Sequence, residues 1–133
     1  MNMHNWHRYT VSESMRRISV QHEAPWVAVG DFLDDWRRSA REDKTTLICE
    51  PLEQGGTPEL RQWAAFFAAA VEELCIRDGL TVPSWVMDQQ YILPEPWYLE
   101  ATSLPLRTYQ EQTTPSTFEK RNVLGGDRML DRV

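Results

Sequence analysis

A chain of 133 residues, 41% of them hydrophobic and including six Trp, four Tyr and four Phe, has the size of one domain and enough apolar surface to close a core, which excludes disorder of the whole chain. The net charge of -6 is concentrated in residues 51–106, where eight acids face two bases; such a segment repels phosphate backbones and disfavours nucleic-acid binding by the domain as a whole. The longest uncharged stretch, residues 62–71, falls well short of the roughly 18 apolar residues of a membrane span.

Residues 1–10 have no periodicity and are expected to be irregular. A first short helix is expected from Ser12 or Ser14 to about Val20, with either serine as its cap and Met15, Ile18 and Val20 as its apolar contacts. Pro25 suits the first turn of a second helix, because its missing amide would be unpaired there in any case. The run to residue 40 then places Trp26, Val29, Leu33 and Trp36 on one face and its charges mainly on the other. Gly30 interrupts that run at a cost of about 1 kcal/mol relative to alanine, so a close contact or an irregularity is expected there. Leu47, Ile48 and Cys49 read as a short extended piece before Pro51.

The firmest element follows. Gly55 and Gly56 supply a turn, Thr57 a cap, Pro58 the first helical position and Glu59 an acid favoured by the helix dipole. The helix is expected over 58–77, with Gly79 as its left-handed stop. Leu60, Trp63, Phe67, Val71 and Leu74 define one face, and Ala64, Phe66, Ala70, Cys75 and Ile76 extend the apolar surface around much of the circumference, so the helix must be enclosed. Burying each large side chain contributes about 1.5–3 kcal/mol. From residue 80 to 106, Pro83, Pro94, Pro96 and Pro105 rule out one long helix and imply short helical turns joined by extended segments. The apolar residues of that stretch mark it as a wrapped cover for the central helix. Thr114 and Pro115 repeat the cap-plus-proline signal ahead of a short helix from Pro115 to about Arg121, with Phe118 inward and Asn122 as its stop. Gly125, Gly126 and Asp127 are expected to turn the chain and cap a last helical turn containing Met129, Leu130 and Val133. The fold expected is therefore mainly α, a single small helical domain over 1–133, built around one buried central helix with a proline-rich wrapped segment and short C-terminal helices.

Chemistry-bearing residues are sparse. Asp31, Asp34 and Asp35 are the one carboxylate cluster suited to a hard cation, but a solvated helix face is the expected reading. His4 and His7 lack the further ligands a zinc site needs. Cys49 and Cys75 belong to no CxxC pair and are expected as ordinary thiols in a reducing, cytoplasmic setting, an expectation that the polar residues 1–9, without an apolar leader, support. No phosphate-binding loop, HExxH or GxSxG occurs, so no catalytic residue, metal or cofactor is assigned. The candidate partner-binding residues are the aromatics Trp85, Trp97 and Tyr98, since aromatics dominate interfaces, and the arginines Arg107, Arg121, Arg128 and Arg132 of the C-terminal series.

Several stretches together resemble a known group: Gly30-Asp31-Phe32-Leu33-Asp34-Asp35-Trp36-Arg37, Trp63-Ala64-Ala65-Phe66-Phe67, Pro83-Ser84-Trp85-Val86, Leu93-Pro94-Glu95-Pro96-Trp97-Tyr98, and the run from Thr114-Pro115 through Phe118-Glu119-Lys120-Arg121-Asn122-Val123 to Leu130-Asp131-Arg132-Val133. They resemble the C-terminal region of bacterial helix-turn-helix antitoxin-like proteins found with nucleotidyltransferase-type toxins. The resemblance covers most of 25–133 and implies a non-catalytic, protein-binding domain that holds or inhibits such a toxin. The chain departs from those proteins in having no tight turn leading into a recognition helix, which argues against DNA binding. Two alternatives stand beside this reading: a small enzyme or ligand-binding protein with a pocket under the Trp85 to Tyr98 segment, and a nucleic-acid regulator using the C-terminal arginines.

Overall fold

The computed structural model describes residues 8–52 and 56–131. It is mainly helical, about 60% helix against 3% strand, as the sequence leads one to expect. Where the sequence reads as one domain, the internal contacts separate into two compact units, residues 1–53 and 54–133, and the division falls just before the glycine pair.

The first unit holds α1 (Val11–Ser19), α2 (Pro25–Arg38) and α3 (Arg41–Ile48). The cap of α1 is Thr10, not Ser12 or Ser14: its hydroxyl accepts from the Glu13 amide while the Glu13 carboxylate accepts from the Thr10 amide, a reciprocal box that satisfies two otherwise free donors. Ser14 instead donates to the Thr10 carbonyl at 2.9 Å. Along α2, Val29, Phe32, Leu33 and Trp36 are buried, whereas Trp26 at its start is partly exposed. Gly30 is buried within the helix. The extended piece expected at Leu47 and Ile48 is instead the last turn of α3, whose first turn carries Glu42 and Asp43; acids at a helix N-terminus stabilise it, and the two apolar residues are buried at its other end.

The second unit is organised by α4 (Pro58–Asp78), in which twelve of 21 residues are buried. Thr57 accepts from the Leu60 amide and Pro58 opens the helix. Gly79 closes it at φ 67°, its amide reaching the carbonyls of Cys75 and Ile76, a backbone state that glycine enters without the penalty a side chain brings. Two 3-10 turns, Ser84–Met87 and Gln89–Tyr91, pack on α4, so the proline-rich segment covers the central helix as expected. It continues into β1 (Trp97–Tyr98), which pairs in parallel with β2 (Val123–Leu124), Trp97 opposite Val123.

Between the strands lie α5 (Leu104–Thr113) and α6 (Ser116–Glu119). The sequence reading uses Pro105 as a breaker and misses α5. In the fold Ser103 accepts from the Leu106 amide and Pro105 sits within the first turn, the position where proline costs no hydrogen bond. Phe118 of α6 is buried. Asn122 then takes a left-handed φ of 65°, its side chain donating to the Leu93 carbonyl at 2.7 Å and its carbonyl accepting from the Trp97 amide at 2.8 Å. The helix itself stops at Glu119, capped by Lys120, short of the expected Arg121, and Asn122 turns the chain into β2 and aligns the two strands. Where a last helical turn is expected after Asp127, a single turn forms without helix, the Asp131 amide donating to the Arg128 carbonyl at 3.1 Å, while Asp127 accepts from the Tyr109 hydroxyl at 2.7 Å. Val133, expected in that turn, lies outside the described residues.

Candidate functional site

The residues singled out in the sequence have quite different surroundings. Trp85 stands edge-on to Tyr91 at 5.6 Å and Trp97 edge-on to Trp63 of α4 at 5.1 Å, so both half-buried indoles are engaged with the protein's own aromatics. Tyr98 lies over α5, with the Arg107 guanidinium 4.9 Å from its ring centre and its hydroxyl donating to Glu111 at 2.5 Å. Positions 107 and 111 are one helical turn apart and share a face, which is why both reach the same tyrosine. Arg128 is exposed and sits 3.7 Å from Asp131; Arg132 lies outside the described residues.

Arg121 differs from the other candidate arginines described in being only 2% exposed. Its guanidinium donates to Glu72 of α4 at 2.7 Å, to the Thr117 carbonyl at 2.6 Å and to the Val86 carbonyl at 2.7 Å. Lys120 donates to the other Glu72 oxygen at 2.9 Å. Burial pushes the Glu72 carboxyl up, and the hydrogen bonds from Lys120 and Arg121 outweigh this and hold it below its ordinary value. The guanidinium thus ties α4, α6 and the first 3-10 turn together, and it is not part of the accessible surface. Sequence position alone does not separate it from Arg107 and Arg128.

The accessible candidate surface is α5 and what flanks it. Leu104 is 76% exposed, Tyr109 46% and Leu106 37%; Arg107 of the same helix is exposed as well. The hydrogen bond to Glu111 holds the Tyr98 phenol above its usual pKa, and that to Asp127 does the same for Tyr109, so both hydroxyls stay protonated throughout the physiological range. Tyr109 also lies against Gly126, where a Cβ would meet its ring at 3.2 Å. Leu104, Leu106 and Tyr109 are absent from the sequence-derived set. Their signal is the helix itself, which becomes visible only once Pro105 is read as an opener.

The acidic triplet is engaged in ion pairs: Asp31 with Arg17 at 2.9 Å, Asp34 with Arg37 at 3.9 Å and Asp35 with Arg38 at 3.7 Å, while Asp35 also accepts from the Tyr9 amide at 2.7 Å. Among the described residues no group of three or more His, Cys, Asp or Glu is placed to hold a metal ion; His4 and His7 lie outside them. No helix among the described residues is long and apolar enough to cross a membrane.

Both cysteines are free, Cys49 exposed and Cys75 buried. Burial, with the nearby Asp78 and Glu72 carboxylates, pushes the Cys75 thiol up to about 11. Since the thiolate is the reacting species, a thiol reagent at pH 8 is expected to modify Cys49 rapidly and Cys75 only in denaturant. Equal rates at the two sites in the native protein would contradict the packing around α4.

A small all-α chain is the class that the helices define. Comparison with protein-family models, with curated proteins and with solved structures finds no match.

Proposed function

We propose that this chain is a cytoplasmic, non-catalytic protein-binding domain, antitoxin-like in character, which holds or inhibits a nucleotidyltransferase-type partner. The observation that carries the reading is α5, which leaves Leu104, Leu106 and Tyr109 exposed along with Arg107. Exposed aliphatic and aromatic side chains and an arginine on one short helix match the composition of interface centres. Arg107 is already oriented by Tyr98, which reduces the ordering cost of using it. The sequence resemblance supplies the class of partner.

The test is co-expression with a nucleotidyltransferase-type toxin encoded in the adjacent gene, reading growth and co-elution. Relief of growth arrest and a shared elution peak are expected, both lost in Leu104→Glu and Tyr109→Ser. Persistent arrest with separate elution, or rescue unaffected by either substitution, overturns the reading.

A further inference from the structure

A recess beside the ion cluster has a chemistry of its own. It measures about 170 Å³ and is lined by Val86, Met87, Asp88, Ile92, Lys120 and Arg121. Its wall is mostly aliphatic: Met87 is 51% and Ile92 48% exposed, while Val86 is buried. Two cations and a carboxylate stand among these apolar groups, and a single buried carboxylate, Glu72, lies behind them.

These charges are unequally committed. Arg121 directs donors to Glu72, to the carbonyls of Thr117 and Val86 and, at 3.8 Å, to the Met87 sulfur, so it contributes positive charge held in place by the fold. Lys120 spends one donor on Glu72 and meets the Met87 thioether only at 3.8 Å; an ammonium has three donors, and this side chain is about half exposed. The pair Lys120 and Arg121 exceeds Glu72 by one positive charge. Asp88 opposes this at the exposed rim, where one oxygen already accepts from the Gln90 amide at 3.1 Å and water screens the rest.

We propose that this recess binds a carboxylate carried on a short aliphatic stem, the head on the Lys120 ammonium and the stem against Val86, Met87 and Ile92. The volume sets the length: a cavity of about 150 Å³ holds a six-carbon ring, so stems of about four to six carbons fit and longer ones project into water. A free acid and the C-terminal carboxylate of an aliphatic peptide share this chemistry. The site is separate from the α5 surface and does not depend on the partner reading.

The experiment is a titration of the full chain with the straight-chain acids from butanoate to octanoate, followed by the methyl resonances of Val86, Met87 and Ile92. Pentylamine is the control of opposite charge, and an acetylated dipeptide ending in isoleucine is the second arm. Saturable shifts for pentanoate are expected, with Kd on the order of 1 mM for so small a ligand, and none for pentylamine. Lys120→Met keeps the stem and is expected to weaken pentanoate at least about tenfold, the scale of a lost charge-assisted hydrogen bond. Asp88→Asn is expected to tighten it, and Leu104→Glu to leave it unchanged. A dipeptide that binds more tightly than pentanoate assigns the site to chain termini, and one that is excluded assigns it to free acids. Absence of saturable shifts with every carboxylate, equal binding of pentylamine, or a Lys120→Met protein that keeps its melting temperature and binds pentanoate as before overturns the proposal.

Discussion

Arg121→Met is expected to destabilise the protein by about 3 kcal/mol, the lower end of what breaking a buried ion pair costs, because Glu72 would keep only Lys120 as a charged partner. The Val86 and Thr117 carbonyls lose their donor in the same substitution, and unpaired buried acceptors add to the loss. The double variant Glu72→Met with Arg121→Met is expected to recover part of it, since no buried carboxylate is then left short of its partner, while the two carbonyls stay without their donor. Urea unfolding of the full chain, followed by tryptophan fluorescence, measures both.

The effect carries a pH signature. The Glu72 carboxyl is held below its ordinary value of 4.5 in the folded protein. Its contribution is therefore complete above that value and is lost as pH falls through the lower folded one. The stability gap between wild type and Arg121→Met should narrow below pH 4.5. An unchanged unfolding midpoint at pH 7, or a gap independent of pH, would remove the ion cluster from the account of this fold.

The second large effect lies one helical face away. Phe66 is buried within an aromatic group, 5.5 Å from Trp63, 6.2 Å from Phe67 and 5.4 Å from Phe118 between ring centres. Phe66→Ala should cost about 3–5 kcal/mol, the transfer of the ring plus the cavity it leaves. Leu104→Ala, with an exposed side chain on α5, should change stability by no more than about 0.5 kcal/mol. Equal midpoints for these two variants in the same denaturation series would mean that α4 is not the organising element.

These two sites differ in how far they were legible beforehand. Phe66 was readable because a helix that is apolar around most of its circumference has to be enclosed. Its limits were readable too, since Thr57, Pro58 and Gly79 act through backbone groups a few residues away. The sequence points to Ser12 or Ser14 as the cap of α1, whereas Thr10 holds that place through its capping box with Glu13. Pro105 reads locally as a helix breaker, whereas Ser103 caps α5 and Pro105 helps to open it, which hides Leu104, Leu106 and Tyr109 from a sequence reading.

Sequence by itself determined the mainly helical class, the central helix with both its caps, the irregular proline-rich cover and the inward position of Phe118. All of these follow from periodicity and from hydrogen bonds that close within one turn. Only the tertiary structure decided which arginines face water. Lys120 and Arg121 are neighbours of the same charge, yet Arg121 is interior because Glu72, 49 positions earlier, is buried on α4 with its carboxylate in reach. That choice turns on desolvation and on a partner brought close by folding, and neither is written in the residues flanking Arg121.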